Sequence, residues 1–543
     1  MPKFLTRLYT SFVMLRIFCA FWGTGYIHPD EYFQNGEVTA GDVLGFHVIK
    51  SWEWDPTAPC RAVLPPFITT GVAFATAKLA GLDVLIMHSV APNPRMLFFA
   101  ERFMFLLLSF VLDFAATRLV PNPQSRSYAL LLISSSHVAN AFQVRPFSNS
   151  LESLALSVSL VLLRSLLENH RQRHLNLLAL VFVLGAFTRI TFLASALPIG
   201  LQALTWISKQ SAGSITSWLR LVVLPLGTAI LTGLSLLCCD TLYFHGSLSA
   251  PVLTPLNFLL YNLSSKVAEE HGAHPRWLHV AVNLPMIVGP GLIYYSVRAI
   301  SKDRQTTSSR EDGKVKDNVN TAMSRTIAYT VVITLAVLSV PQHQEPRFLI
   351  PLLLPVVVLV VNSGQIYRAG KIFWVTSVFM NVALTALFGF LHQAGVVPSL
   401  FYVHGRISEE ISLYGHLDVV YWRTYMPPRH LLGIRHDTYQ DRSVSVTDIA
   451  GASTDVLLET IRHLISSADS RRPDCSKVYL VAPFWATDRV DLNAHGFILE
   501  HRVWPHLDMD HLGESVSLGV TDGLVLGVYS SQQDCALLGN GRL

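Results

Sequence analysis

Charge is scarce in this chain. Asp, Glu, Lys and Arg make up only 14% of its 543 residues, against roughly 25% in soluble domains. With 51% apolar residues besides, a water-soluble globular class is excluded and a polytopic membrane protein is expected. Cysteine is equally sparse: the six (Cys19, Cys60, Cys238, Cys239, Cys475, Cys535) form no CxxC pair, which argues against a zinc site or a disulfide framework. One disulfide stays open, between Cys475 and Cys535 or using Cys60. No basic-aromatic cluster accompanies the modest net charge of +4, so nucleic acid is not an expected partner. No internal repeat is found, and no small-residue cleavage site precedes His28. Arg16 interrupts the first apolar run, so the N-terminus reads as a retained anchor and not as a removed signal peptide.

What is present is a succession of apolar runs near the length needed to cross roughly 30 Å of hydrocarbon. They fall at about 5–22, 96–118, 127–143, 150–167, 174–187, 191–206, 219–242, 277–299, 327–341, 346–362 and 372–392, so about 11 crossings are expected. A further run at 63–80 opens with Pro65-Pro66 and reads as re-entrant or interfacial. Basic clusters at 169–174, 301–325 and 368–371 assign those gaps to the cytosol by the positive-inside tendency. Six polar segments then fall on the opposite, lumenal face: Asp30–Glu31, Arg145, Arg189, His271–Arg276, His343–Arg347 and His392–Gln393. Asn262-Leu-Ser264, a glycosylation sequon, lies on the same face. From about 394 charge returns, and a helix over 453–465 with strands over 477–483 and 524–530 predicts a small α/β domain. The expected division is thus a membrane domain, 1–393, with its first lumenal loop at about 23–95 and a cytosolic loop at about 301–325, and a lumenal soluble domain, 394–543.

Adjacent carboxylates at a bilayer boundary cost free energy to desolvate and are not needed for packing, which makes Asp30 and Glu31 the leading functional candidates. Their bland reading is a solvated turn that caps the next helix. A carboxylate can take a proton from a hydroxyl nucleophile, while Arg supplies a permanent cation for a phosphate leaving group. Together they suit glycosyl transfer from a lipid phosphate sugar. In Pro341–Pro351, Arg347 could meet a phosphate and His343 could hydrogen-bond sugar or phosphate oxygens, or Glu345 and Arg347 could merely pair. In His271-Gly-Ala-His-Pro-Arg276, the His-x2-His spacing could bind a metal, yet no carboxylate or cysteine nearby completes a tetrahedral set. Arg145 and Arg189 lie among aromatics at run ends, as substrate contacts or as snorkelling side chains. Glu101, Arg102 and Asp113 fall inside an apolar run, where an ion pair is the simplest account. A transporter or scaffold of the membrane is the non-enzymatic rival. Transporters tend to place charge within crossings and to repeat, whereas here the polar clusters lie at run ends on one side.

With these segments in order, the chain resembles the mannosyltransferases of glycosyltransferase family 22. The matching stretches are His28-Pro-Asp-Glu-Tyr-Phe-Gln34, Pro59-Cys-Arg61, Arg145–Glu152, Thr254–Phe258 with Tyr261-Asn262, His271–Arg276, His343–Pro351, Leu391–Gly395 and Thr424-Tyr-Met-Pro-Pro-Arg-His430. Pro346 departs from the small residue usual at its position. The resemblance implies a GT-C fold, an endoplasmic reticulum membrane and dolichyl-phosphate mannose as donor. The combination of the first, the His343 and the Thr424 motifs points to the branch that extends glycosylphosphatidylinositol (GPI) precursor glycolipids at the third mannose. Other family acceptors, the second GPI mannose or a lipid-linked oligosaccharide, are the alternatives.

The resemblance further implies inversion by a single displacement, which needs one base and no covalent intermediate. Asp30 is the favoured base and Glu31 its competitor. Arg347, Arg276 or Arg189, with His343, would address the donor phosphate, and His28, Gln34, Glu345, Arg145, His274 and His392 would contact substrate. No cofactor or metal is expected, since arginine alone can neutralise the leaving phosphate. Protein partners, and a role for the region beyond about 440, do not follow from the sequence.

Overall fold

The computed structural model describes residues 3–79, 93–263, 272, 274–308, 319–411, 414, 416–435, 444–471 and 476–532. In chain order its longer helices are α1 (Lys3–Trp22), α2 (Pro94–Leu119), α3 (Ser148–Asn169), α4 (Gln172–Thr188), α5 (Phe192–Ser211), α6 (Ile215–His245), α7 (Pro290–Ser308), α8 (Val319–Leu338), α9 (Lys371–Ala386), α10 (Val396–Glu410) and α11 (Thr454–Arg471). Every apolar run named above is helical over most of its length. Among the described residues, five helices are long and apolar enough to cross a bilayer: α1, α3, α6, α8 and Lys371–Leu391. Helix α6 has 31 residues, and at about 1.5 Å per residue it is about 46 Å long. A sixth span is available if His279–Val288 and Pro290–Ser301 count together across their 108° bend. Gly289 sits at that bend with φ of +89°, a conformation that L side chains rarely adopt. The apolar helices Leu64–Ala77, α4 and Pro346–Asn362 are shorter.

The chain divides into two compact units. The first comprises Met1–Ala20, Ser51–Ile68 and Phe105–Ala383. In it α3 packs on α4, α4 on α6, α5 on α8, and α3 on the segment Pro346–Leu352. Arg16, the charge that interrupts the first apolar run, is fully buried and pairs with Asp113 at 2.6 Å. Tyr9 donates a hydrogen bond to the same carboxylate at 3.1 Å. A charge within an apolar helix is tolerated when its partner is supplied from another helix, so Asp113 is structural. Cys60 is a free, buried cysteine, which removes it from the expected disulfide alternatives; Cys475 and Cys535 lie outside the described residues.

The second unit comprises Phe21–Lys50, Thr69–Met104 and Leu384–Leu543. Its sheet has β1 (His416–Tyr421), β2 (Val444–Asp448), β3 (Ser476–Pro483), β4 (Phe497–Val503) and β5 (Leu526–Ser531) in the order β2-β1-β3-β5-β4. The pairs β1–β2 and β1–β3 are parallel, and β3–β5 and β4–β5 antiparallel. The helix over 453–465 and the strands over 477–483 and 524–530 correspond to α11, β3 and β5. One face of the sheet, with Leu417, Val419, Tyr421 and Val481, packs against Tyr26, Tyr32 and Phe33 of the first loop and against Val396, Leu400 and Val403 of α10. Burying each Leu, Val or Phe stabilises by about 1.5–3 kcal/mol. The loop that carries the acidic pair is therefore built into the same core as the C-terminal sheet.

Candidate active site

In the second unit, the chain approaches the acidic pair under tight restraint. The Gly25 amide donates to Gly389 O and the Tyr26 amide to His392 O, both at 2.8 Å. A Cβ at Gly25 would stand 2.4 Å from Phe388 O, so only glycine fits there. Asp30–Phe33 then forms a short helix. Its residues turn by about 100° each, which separates the two carboxylates. Glu31 is fully buried and ion-paired with Arg102, itself fully buried; Arg102 also donates to Tyr32 Oη at 3.2 Å. Asp30 keeps its side chain 23% exposed beside His28, with Nδ1–Oδ1 at 3.3 Å. Gln34, buried, donates its amide to Asp30 Oδ2. The structure thus brings His28, Asp30 and Gln34 together and takes Glu31 into the interior, correcting the expectation that neither acid is needed for packing. Nor do Glu101 and Arg102 pair with each other: Glu101 accepts from Thr70 at 3.1 Å. His392 is buried, with Nε2 3.2 Å from Tyr425 Oη.

In the first unit the arginines form a chain. Arg189 caps the C-terminal end of α4, donates to Ser148 Oγ at 2.9 Å and pairs with Glu152 at 3.2 Å. Arg61 donates to the same Ser148 oxygen at 3.2 Å and pairs with Glu53. Arg347 pairs with Glu345, which also meets His343 Nε2 at 2.7 Å. Two phenyl rings link the three cations. Arg61 and Arg189 lie 4.9 and 5.9 Å from the Phe258 centroid, and Arg189 and Arg347 lie 5.4 and 5.5 Å from that of Phe348. All three are at least nine-tenths buried. Burial first, and the Arg61 cation second, push the Arg189 guanidinium down to about 10, as expected where the charged form lacks stabilisation; it remains protonated at neutral pH. Each guanidinium has five N–H donors, and one carboxylate takes at most two in a bidentate pair. Such a cluster can address phosphate oxygens.

The other expected residues are placed as follows. Gln344, buried, is the hub of its loop. Its side chain accepts from the His279 amide at 2.9 Å and donates to Ser339 O at 3.1 Å and Pro341 O at 3.2 Å, while its own amide lies 3.4 Å from His274 Nδ1. His274 and His343 have ring centroids 6.0 Å apart. Arg276 is exposed, and His271 and Ser264 lie outside the described residues. Arg145 is fully buried in the turn between the π-helical segment Val138–Phe142 and α3, so it does not snorkel. Arg61, Glu53, Ser148, Glu152 and Gln344 were not singled out from the sequence, although all but Glu53 fall in or beside the quoted motifs. Asp240, buried in α6, was also missed. It accepts from the Val63 amide at 2.9 Å and from Thr254 Oγ1 at 2.8 Å, which ties the Pro59–Arg61 motif to the Thr254–Phe258 motif. Its signal was a lone acid in an apolar run.

The protein is a membrane-embedded glycosyltransferase with the fold of the GT-C class. The fold is shared with ArnT from Cupriavidus metallidurans bound to undecaprenyl phosphate, at a TM-score of 0.52 and 10% identity over 97% of this chain and 98% of that one. The chain belongs to the Alg9-like mannosyltransferase family, whose model matches residues 7–432. It is 31% identical to GPI mannosyltransferase 4 of Aspergillus oryzae over 88% of this chain and 87% of the relative. It is 32% identical to GPI alpha-1,2-mannosyltransferase 4 of Homo sapiens over 93% and 89%.

Proposed function

We propose that the chain transfers mannose from dolichyl-phosphate mannose to the 2-hydroxyl of the third mannose of a GPI precursor, adding a fourth mannose in α-1,2 linkage. The relatives' names over nearly the whole chain support this acceptor and disfavour the other family acceptors and the transporter reading. Asp30 takes the hydroxyl proton as the acceptor oxygen forms its bond to the anomeric carbon. The bond from that carbon to the phosphate oxygen breaks, the configuration inverts from β to α, and dolichyl phosphate leaves. Arg189, with Arg61 and Arg347 beside it, stabilises the charge that develops on the leaving phosphate. His343 and Glu345 orient Arg347, and His28 and Gln34 orient Asp30. Arg276, being exposed, is the weakest of the phosphate candidates. The reaction is placed on the lumenal face of the endoplasmic reticulum membrane, with about 11 crossings and the region 394–543 on the lumenal side.

One observation carries the reading: of the adjacent acids, Asp30 keeps its carboxylate partly exposed while Glu31 is engaged by Arg102. The test is mannose transfer in microsomes that lack the endogenous fourth-mannose activity, supplied with dolichyl-phosphate mannose and a three-mannose GPI precursor. The wild type gives a four-mannose product, and Asp30→Asn gives none at an unchanged protein level. A four-mannose product from Asp30→Asn at the wild-type rate removes Asp30 as base, and no product from the correctly inserted wild type removes the acceptor.

A further inference from the structure

The carboxylate Glu37, at the start of the helix Gly36–Leu44, is fully buried, as is His430 of the segment that follows β1. Glu37 Oε2 lies 2.6 Å from His430 Nδ1 and accepts from the His430 amide at 3.1 Å. Its other oxygen accepts from the Ile49 amide at 3.2 Å. A buried carboxylate with three such partners is fixed in place, because losing any of them leaves polar atoms desolvated without compensation. The neighbouring contacts run the same way. Tyr26 Oη donates to Met426 O at 3.0 Å, the His47 amide donates to Ile434 O at 2.8 Å, and Phe46 bridges to Arg435. Tyr26 and Tyr425 meet edge to face with centroids 5.4 Å apart. Residues 425–435 therefore clasp the stretch 26–47 of the first loop at both of its ends.

Between Asp30 and Glu37 there is little slack. Gln34, which donates to the Asp30 carboxylate, is two residues from Gly36. A Cβ at Gly36 would lie 3.0 Å from Glu101 Oε1 and 3.2 Å from His430 Nε2, so the backbone is seated directly on these two side chains. A shift at Glu37 is passed through Gly36 to Gln34 and so to Asp30.

We propose that His430 is a positioning residue for mannosyl transfer: through Glu37 it holds the first loop in the geometry that presents Asp30, and this gives the segment leaving β1 a role in catalysis. The inference rests on Asp30 acting as the base. The test compares His430→Gln with His430→Asn in the full-length protein. The Asn side-chain nitrogen takes the place of the ring Nδ1 and can still donate to Glu37, whereas that of Gln reaches the place of Nε2.

His430→Gln is expected to lower kcat by about 10- to 100-fold, the effect of losing one hydrogen bond to a buried charged group, with the KM for dolichyl-phosphate mannose unchanged. His430→Asn is expected to recover most of that loss. Hydrogen–deuterium exchange over residues 25–44 of the purified protein is the second readout, with faster exchange in His430→Gln and wild-type protection in His430→Asn. It is independent of the acceptor, so a wild type inactive on the GPI precursor overturns the proposed function while exchange still decides the clasp. Wild-type kcat and exchange in His430→Gln, or equal losses in both variants, overturn the inference.

Discussion

The two units use the same device, a buried or half-buried carboxylate held by a buried basic side chain, to opposite ends. In the first unit Glu53, Glu152 and Glu345 each hold an arginine, and the pairs crowd three guanidiniums along Phe258 and Phe348. In the second unit Arg102 and His430 hold Glu31 and Glu37, and Asp30 stays partly exposed on the short helix that they anchor. Pairing concentrates cations in one place and separates two neighbouring acids in the other. Its use in each unit is therefore positional, since a buried pair by itself is weak evidence for stability.

The comparison is broken most severely at Glu31. Glu31→Gln leaves Arg102 buried without its ionised partner, which costs about 3–5 kcal/mol. It is therefore expected to deplete folded protein, measured as amount and as thermal midpoint in detergent. Asp30→Asn is expected to leave both unchanged. Equal stability of the two variants would put both acids in the same solvated turn.

A smaller effect is expected in the arginine chain. Arg189→Ala and Arg61→Ala should raise the KM for dolichyl-phosphate mannose by about 10- to 100-fold, as for a lost hydrogen bond to a charged group, with the acceptor KM little changed. Arg276→Ala should change neither. Steady-state kinetics with each substrate varied decides this, and equal rises for donor and acceptor would take Arg189 out of the phosphate site.

The smallest effect concerns pH. His506, fully buried behind Gly395, accepts from the Gly395 amide at 3.3 Å. Desolvation, and then the nearby His392, push it down to about 3. The unfolded chain has the ordinary value near 6.5, so between pH 6.5 and 3 it binds a proton that the folded state refuses. Stability therefore falls as pH drops through this window, by up to about 1.4 kcal/mol per unit from this group. Unfolding of the wild type and of His506→Asn followed from pH 7 to 5 should show a shallower slope in the variant, and parallel slopes would contradict it.

Much of this was legible in the sequence. The apolar runs became helices because length and apolarity suffice to specify them, and β3 and β5 followed from β-branched residues at strand length. The strands β1, β2 and β4 were not anticipated. In β4, Phe497–Val503, charged residues and a histidine follow the first apolar positions, so the alternating pattern is broken. The motifs at Asp30, Arg145, His343 and His430 identified the family, but not which residues in them are partners.

The sequence by itself determined a helical membrane glycosyltransferase with an acidic first loop and several arginines at run ends, because composition and local motifs carry that information. Only the tertiary structure decided which acid is which. One residue's turn of a short helix sends Glu31 onto Arg102, 71 residues away, and keeps Asp30 partly exposed beside His28, and a local pattern cannot contain a partner so distant along the chain.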